Sequence, residues 1–137
     1  MGTDRFGITI GVQPDDIDVM GHVNNTVYLR WVQEAATAHW EALAAPGDIE
    51  RILWVVVRHE IDYLRPAMPG DTVRASTWVG PLEGRYFTRF TEIARASDGR
   101  VLAKARTLWC PIDAATLRPT RATDSVMERF TVPSSEE

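Results

Sequence analysis

Cysteine is nearly absent from this 137-residue chain: Cys110 stands alone, so no internal disulfide framework exists and a reducing compartment fits. Lysine is as scarce, for Lys104 is the single non-arginine among 15 basic residues. Genomic base composition accounts for such a bias, although arginine's planar donor fork also suits phosphates. The net charge of -4 argues against nucleic acid as a partner, which would need a basic surface. No run approaches the roughly 18 apolar residues of a membrane span. The opening Met1-Gly2-Thr3-Asp4-Arg5 lacks the apolar core of a signal peptide. A soluble, cytoplasmic protein is expected, with no membrane and no nucleic-acid partner. Two catalytic devices are missing as well. There is no Gly-x-Ser-x-Gly elbow, and the nine glycines fall singly, so no phosphate-binding loop forms. His22, His39 and His59 have no close ligand spacing and no cysteine pair beside them, so no metal site is expected.

What is present suits one globular unit. Hydrophobic residues make up 45% and charged residues 25%, and a chain of this size can bury roughly two-thirds of its unfolded surface. A single domain over residues 1–137 is expected, with 130–137 a polar tail. Phe6, Ile8, Ile10 and Val12 alternate as in a half-buried strand, and a polar loop follows from Gln13 to Gly21. Tyr28, Trp31, Val32, Ala35, His39, Trp40 and Leu43 then fall at spacings of three and four, one helical stripe. Asn24 and Asn25 stand before it as N-cap candidates, and Pro46-Gly47-Asp48 is expected to stop it. At about 18 to 20 residues the helix would span roughly 30 Å.

Strand patterns occupy Ile52–Tyr63, Thr72–Val79, Arg85–Ala94 and Val101–Ile112, with Asp98-Gly99 a hairpin signal. In the first, Val57, His59, Ile61 and Tyr63 are expected on one face and Arg58, Glu60 and Asp62 on the other. Residues 113–137 read as mostly irregular, with a short turn near Val126. The class is α+β: one strand, one long helix, then four strands, a five-stranded antiparallel sheet able to wrap the helix. Exposed sheet edges point toward an oligomer.

Chemistry concentrates in Asp16-Ile17-Asp18-Val19-Met20-Gly21-His22-Val23-Asn24-Asn25. It places a carboxylate, an imidazole and two amides in the loop entering the helix. Backbone N–H groups at a helix start are unpaired, and the dipole adds positive charge. They could hold a polarised carbonyl oxygen while Asp18 attacks or activates water. The competing structural role is capping, which Asp and Asn perform at many helix starts.

This segment resembles the signature of the 4-hydroxybenzoyl-CoA thioesterase family of hotdog proteins. Two further blocks resemble the same family in the same order: Asp62-Tyr63-Leu64-Arg65-Pro66-Ala67-Met68-Pro69-Gly70-Asp71-Thr72-Val73, and Trp109-Cys110-Pro111-Ile112-Asp113 through Leu117-Arg118-Pro119. The resemblance implies a hotdog fold, a five-stranded antiparallel sheet around one central helix. It implies acyl-CoA hydrolysis at a site formed between subunits of a homodimer or homotetramer, with coenzyme A as part of the substrate and no separate cofactor. Asp18 matches the catalytic carboxylate, as nucleophile or general base, and Asn25 the position whose backbone N–H polarises the thioester. The Gly-His-Val-Asn-Asn variant is also similar to plant acyl-carrier-protein thioesterases. Those carry Asn where this chain has Met20, so His22 is carried over only as a supporting catalytic candidate. A hotdog protein that binds acyl thioesters without cleaving them is the remaining alternative.

Tyr28, Trp31 and His59 are candidate acyl-group contacts, the first two mainly core residues and His59 a strand histidine. Arg58, Arg65, Arg85, Arg89, Arg118 and Arg121 are candidates for coenzyme A phosphates. Cys110 reads as a buried, inert thiol, His39 as a core or interface histidine, and Glu34 as a solvated helix residue.

Overall fold

A computed structural model describes residues 5–130; of the expected polar tail 130–137, residues 131–137 lie outside them, and Phe130 is instead a buried helical residue. Five strands form one antiparallel sheet in the order β1-β3-β4-β5-β2. They are β1 (Phe6–Gly11), β2 (Ile52–Tyr63), β3 (Thr72–Glu83), β4 (Tyr86–Arg95) and β5 (Val101–Asp113). The helix α1 (Asn25–Leu43) lies across the concave face, chiefly over β1 and β3. The architecture is the hotdog: a sheet wrapped around one helix. No helix among the described residues is long and apolar enough to cross a membrane.

The helix starts where the asparagines stand. Asn24 is the N-cap, and its side-chain oxygen accepts from the Thr26 N–H at 2.9 Å. Trp31, Val32 and Ala35 from the apolar stripe are buried at 0–1% exposure. With Val73, Ala75, Ile93 and Leu102, Trp31 and Ala35 place the main core under the first half of α1. A second cluster, including Ile52, Val79, Phe87, Val126 and Phe130, fills the other end. Between them the inner sheet face is polar. Thr77, Thr91 and Thr107 are all but fully buried, and the Thr91 hydroxyl donates to that of Thr77 at 3.3 Å.

Several sequence expectations need correction. Pro46 does not merely follow the end of α1; it occupies the first turn of α2 (Pro46–Arg51), where its missing N–H costs nothing. The region read as irregular holds α3 (Asp124–Phe130), whose Val126 and Phe130 are buried. Strand β3 runs past Gly80-Pro81 to Glu83 through a register shift between Val79 and Leu82. In β2 a register shift between Val56 and Arg58 sits at Val57. Val57 therefore leaves the face expected for it and is 48% exposed, because a bulge residue is unpaired and resets the alternation.

Candidate active site

The Asp18 loop is a miniature antiparallel ladder ending on the helix cap. The Asn24 N–H donates to the Asp16 carbonyl at 2.8 Å, Ile17 bridges Val23, and the Asp18 N–H donates to the His22 carbonyl at 2.7 Å. Gly21 closes the turn at φ 81°, a conformation that a side chain would strain. Two rungs separate Asp18 from the N-cap, about 7 Å at strand spacing. Side chains of directly opposed residues share a face, so those of Asp18 and His22 lie on the same side of the loop. Ala67 ties the ladder to the helix. Its carbonyl accepts from the Val23 N–H at 3.0 Å, and its N–H donates to the Tyr28 hydroxyl at 2.8 Å. The second sequence block thus buttresses the first.

The two aspartates divide their work. Asp16 is buried, with one oxygen 3.0 Å from the Arg30 guanidinium on α1 and the other accepting from the Gln13 N–H at 2.8 Å. Asp18 commits only Oδ1, which accepts from the Met20 and His22 N–H groups at 2.9 and 3.2 Å. Its Oδ2 has no partner among the described residues, and the side chain is half-exposed. One carboxylate is structural and the other is available for chemistry. Asp16→Asn is accordingly expected to cost on the order of 2 kcal/mol of stability by weakening a charged, buried hydrogen-bond pair. Urea unfolding checks this, and an unchanged midpoint would contradict it.

Asn25 is the first residue of α1, and its backbone N–H has no acceptor among the described residues. Its carbonyl accepts from the Tyr63 hydroxyl at 3.1 Å, which anchors the helix start to the end of β2. Burial raises the Tyr63 pKa, so the phenol stays protonated as that donor. The sequence reading placed Tyr63 on a strand face and gave it no part here. The half-exposed His22 ring makes no hydrogen bond among the described residues.

The proposed acyl contacts separate. Tyr28 and Trp31 are 2% and 0% exposed and pack edge to face at 5.0 Å; both are core. Burial also raises the Tyr28 pKa. His59 faces inward from β2, half-buried, with Nδ1 3.0 Å from the Thr107 hydroxyl, and burial lowers its pKa.

The arginine candidates separate too. Arg58, Arg65, Arg85, Arg118 and Arg121 are exposed. Arg89 is not: it is 8% exposed beneath α1, where it cannot meet a phosphate at the surface. Its Nη1 lies 2.9 Å from His39 Nδ1 and 3.1 Å from the Thr77 hydroxyl. Burial lowers the Arg89 pKa to about 10, so the group remains a cation near neutrality. Cys110 is buried, and exposed Glu34 pairs with Arg30 at 3.4 Å.

His39 carries a pH dependence. Burial first, and then the Arg89 charge, lower its pKa from 6.5 to about 4. Between those values the unfolded chain binds a proton that the folded chain refuses, so stability falls as pH drops from 6.5 toward 4. The full shift is worth roughly 3 kcal/mol. His39→Gln retains an acceptor for Arg89 and should flatten this part of the curve in urea titrations at stepped pH. Superimposable slopes would contradict it.

Taken together, a half-free carboxylate stands two rungs from a helix start whose N–H is unpaired among the described residues, and exposed hydrophobic side chains lie nearby in the chain and at the end of β2. Val19 and Met20 at the loop tip are 103% and 76% exposed, and Tyr63 is 44% exposed. Among the described residues no three His, Cys, Asp or Glu side chains group as a metal would require.

Comparison with known proteins gives the family and the fold. The chain is 30% identical over 112 residues to the long-chain acyl-CoA thioesterase FadM of Escherichia coli, covering 78% of this chain and 83% of FadM. It is 28% identical over 97 residues to the chloroplastic palmitoyl-acyl carrier protein thioesterase of Cuphea hookeriana, covering 71% of this chain and only 21% of that protein. The 1,4-dihydroxy-2-naphthoyl-CoA thioesterase Slr0204 of Synechocystis shares the fold at a TM-score of 0.78 and 21% identity, over 92% of this chain and 95% of its own. Residues 12–130 match the model of the thioesterase-like superfamily, and the chain belongs to that family of thioester hydrolases.

Proposed function

We propose that this protein hydrolyses a fatty or aromatic acyl-CoA thioester to the free acid and coenzyme A, with Asp18 as its catalytic carboxylate. The observation that carries the assignment is that, among the described residues, Oδ2 of Asp18 has no partner, two rungs from a helix start whose Asn25 N–H has no acceptor. The thioester carbonyl oxygen rests against that N–H, where the helix dipole stabilises the negative charge that develops on it. Asp18 either attacks the carbonyl carbon and expels the thiolate, leaving an anhydride for water to open, or takes a proton from the water that attacks. Single turnover in H2-18O identifies the first route when label enters the Asp18 carboxylate, which happens only if water opens the anhydride at its aspartyl carbonyl. In this reading His22, on the same side of the loop, is the supporting candidate that protonates the departing sulfur.

The similarity to FadM favours acyl-CoA as the substrate, and that to the plant enzyme supports acyl-carrier-protein thioesters as the second reading. A free-thiol assay on short, long and aromatic acyl-CoAs, with matched acyl-carrier-protein substrates in parallel, tests the assignment. Turnover of coenzyme A thioesters is expected. Turnover of carrier-protein thioesters alone would select the second reading. Absence of turnover across the panel would leave an acyl-thioester-binding protein.

A homodimer or homotetramer belongs to the same proposal. Strand β2 is a 12-residue edge whose Leu53, Val55 and Val57 are each nearly half exposed. Such an edge seeks a partner strand. A second copy there would also cover the exposed Tyr63 beside the Asn25 carbonyl. Sedimentation velocity should show an oligomer at micromolar concentration; a monodisperse monomer would contradict a shared site.

A further inference from the structure

The end of β2 and the start of α1 are joined by a closed circuit of contacts. From α1, the Tyr28 hydroxyl accepts the Ala67 N–H at 2.8 Å, and the Ala67 carbonyl accepts the Val23 N–H at 3.0 Å. Val23 leads through the N-cap Asn24 to Asn25, whose carbonyl accepts from the Tyr63 hydroxyl at 3.1 Å. The Tyr63 ring closes the circuit on Tyr28, edge to face at 5.2 Å. Tyr28, Ala67 and Val23 are buried at 0–3% exposure, so most of the circuit is core. Its remaining link is one hydroxyl, on the exposed Tyr63.

This circuit sets the spacing of two groups. Val23 belongs to the ladder that carries Asp18, through its bridge to Ile17. Asn25 carries the N–H that meets the thioester carbonyl oxygen in the function proposed above. Helix ends fray, and an oxyanion donor serves only while it stays within hydrogen-bond reach of the developing charge. The Asn24 cap is made to Thr26 and not to Asn25. Among the described residues, the hydrogen bond that reaches residue 25 from outside the helix is the one from Tyr63.

We propose that Tyr63 is a positioning residue for thioester hydrolysis: its hydroxyl fixes residue 25 so that the Asn25 N–H stays aimed at the substrate carbonyl oxygen. This role rests on the thioesterase reading of the Asp18 loop. Tyr63 acts through Asn25 and not on the substrate. The hydroxyl can be removed cleanly, because the Asn25 carbonyl it meets lies at the exposed start of α1 and no buried group is left unpaired. The same deletion at Tyr28 would orphan the N–H of the fully buried Ala67, which makes Tyr63 the informative member of the pair.

Tyr63→Phe deletes the hydroxyl and keeps the ring against Tyr28. On the best acyl-CoA of the panel it should lower kcat roughly tenfold, the scale of a slightly misplaced group. KM should stay within about twofold, since the lost interaction is realised in the transition state. Circular dichroism and the urea midpoint should match wild type. A double-mutant cycle with Asn25→Pro then identifies the route. In that background the N–H that Tyr63 positions is gone, so adding Tyr63→Phe should lower kcat no further. A wild-type kcat in Tyr63→Phe, a rise in KM alone, or the same fold loss in both backgrounds would overturn the positioning role and leave the thioesterase reading standing. Absence of wild-type turnover on every thioester of the panel would overturn that reading, and this role with it.

Discussion

Asn25→Pro is expected to lower turnover by about 10²–10³-fold, the usual cost of removing one oxyanion donor, while the helix keeps its start. The substitution deletes the N–H alone. Proline is favoured at the first helical position, where the amide has no intrahelical partner, and here that N–H has no acceptor among the described residues. The preceding residue must be extended ahead of a proline, and Asn24 already is, at φ -60° and ψ 137°. The carbonyl of residue 25 still receives the Tyr63 hydroxyl. Asn25→Ala retains the N–H and serves as the control, with turnover close to wild type. Steady-state thiol release on the three proteins, with circular dichroism to show an intact helix, reads the difference. Equal rates for the Pro and Ala variants would remove the Asn25 N–H from the mechanism.

Asp18→Asn should cost more, about 10³-fold or beyond, because Asp16 is committed to Arg30 and exposed Asp15 precedes the ladder that ends on the helix cap. The asparagine is chosen for structural reasons. Its side-chain carbonyl can still accept the Met20 and His22 N–H bonds that Oδ1 of Asp18 accepts now, so the turn survives. An amide, however, is neither a competent nucleophile nor a base at neutral pH. Stability should stay within about 1 kcal/mol of wild type, as for other changes that spare the core. Asp16→Asn reverses the pattern. It removes charge from a group held by Arg30 and the Gln13 N–H, so its effect falls on stability first. The contrast between two aspartates two residues apart separates chemistry from scaffolding.

How much of this was legible beforehand depended on length and period. Helix α1 announced itself because 19 residues allow several repeats of a three-four spacing, and because Asn24 could cap it. Short elements gave no such signal. Helices α2 and α3, of 6 and 7 residues, are too brief for a period, and Pro46 reads equally as a stop and a start. The run Ile52 to Val57 is apolar on both faces, so nothing in it marks the register shift at Val57 or the edge position of β2.

At the site, the segment from Asp16 to Asn25 was visible as a cluster, and the resemblance singled out Asp18. The division of labour between Asp16 and Asp18 required Arg30, which arrives from α1, 14 residues away. The buried threonines were overlooked because threonine in a strand is an ordinary β-former. Arg89 did leave a trace. It alternates with Phe87, Thr91 and Ile93 in β4, which places it on the inward face, yet arginine defaults to the surface.

The most direct test of the account is free-thiol release by wild type and Asp18→Asn on the acyl-CoA panel at matched protein concentration. The geometry predicts measurable turnover by the wild type on at least one acyl-CoA and none above background by the folded variant. Hydrolysis by Asp18→Asn at a rate near wild type would contradict it, and would move the chemistry away from the loop that enters α1.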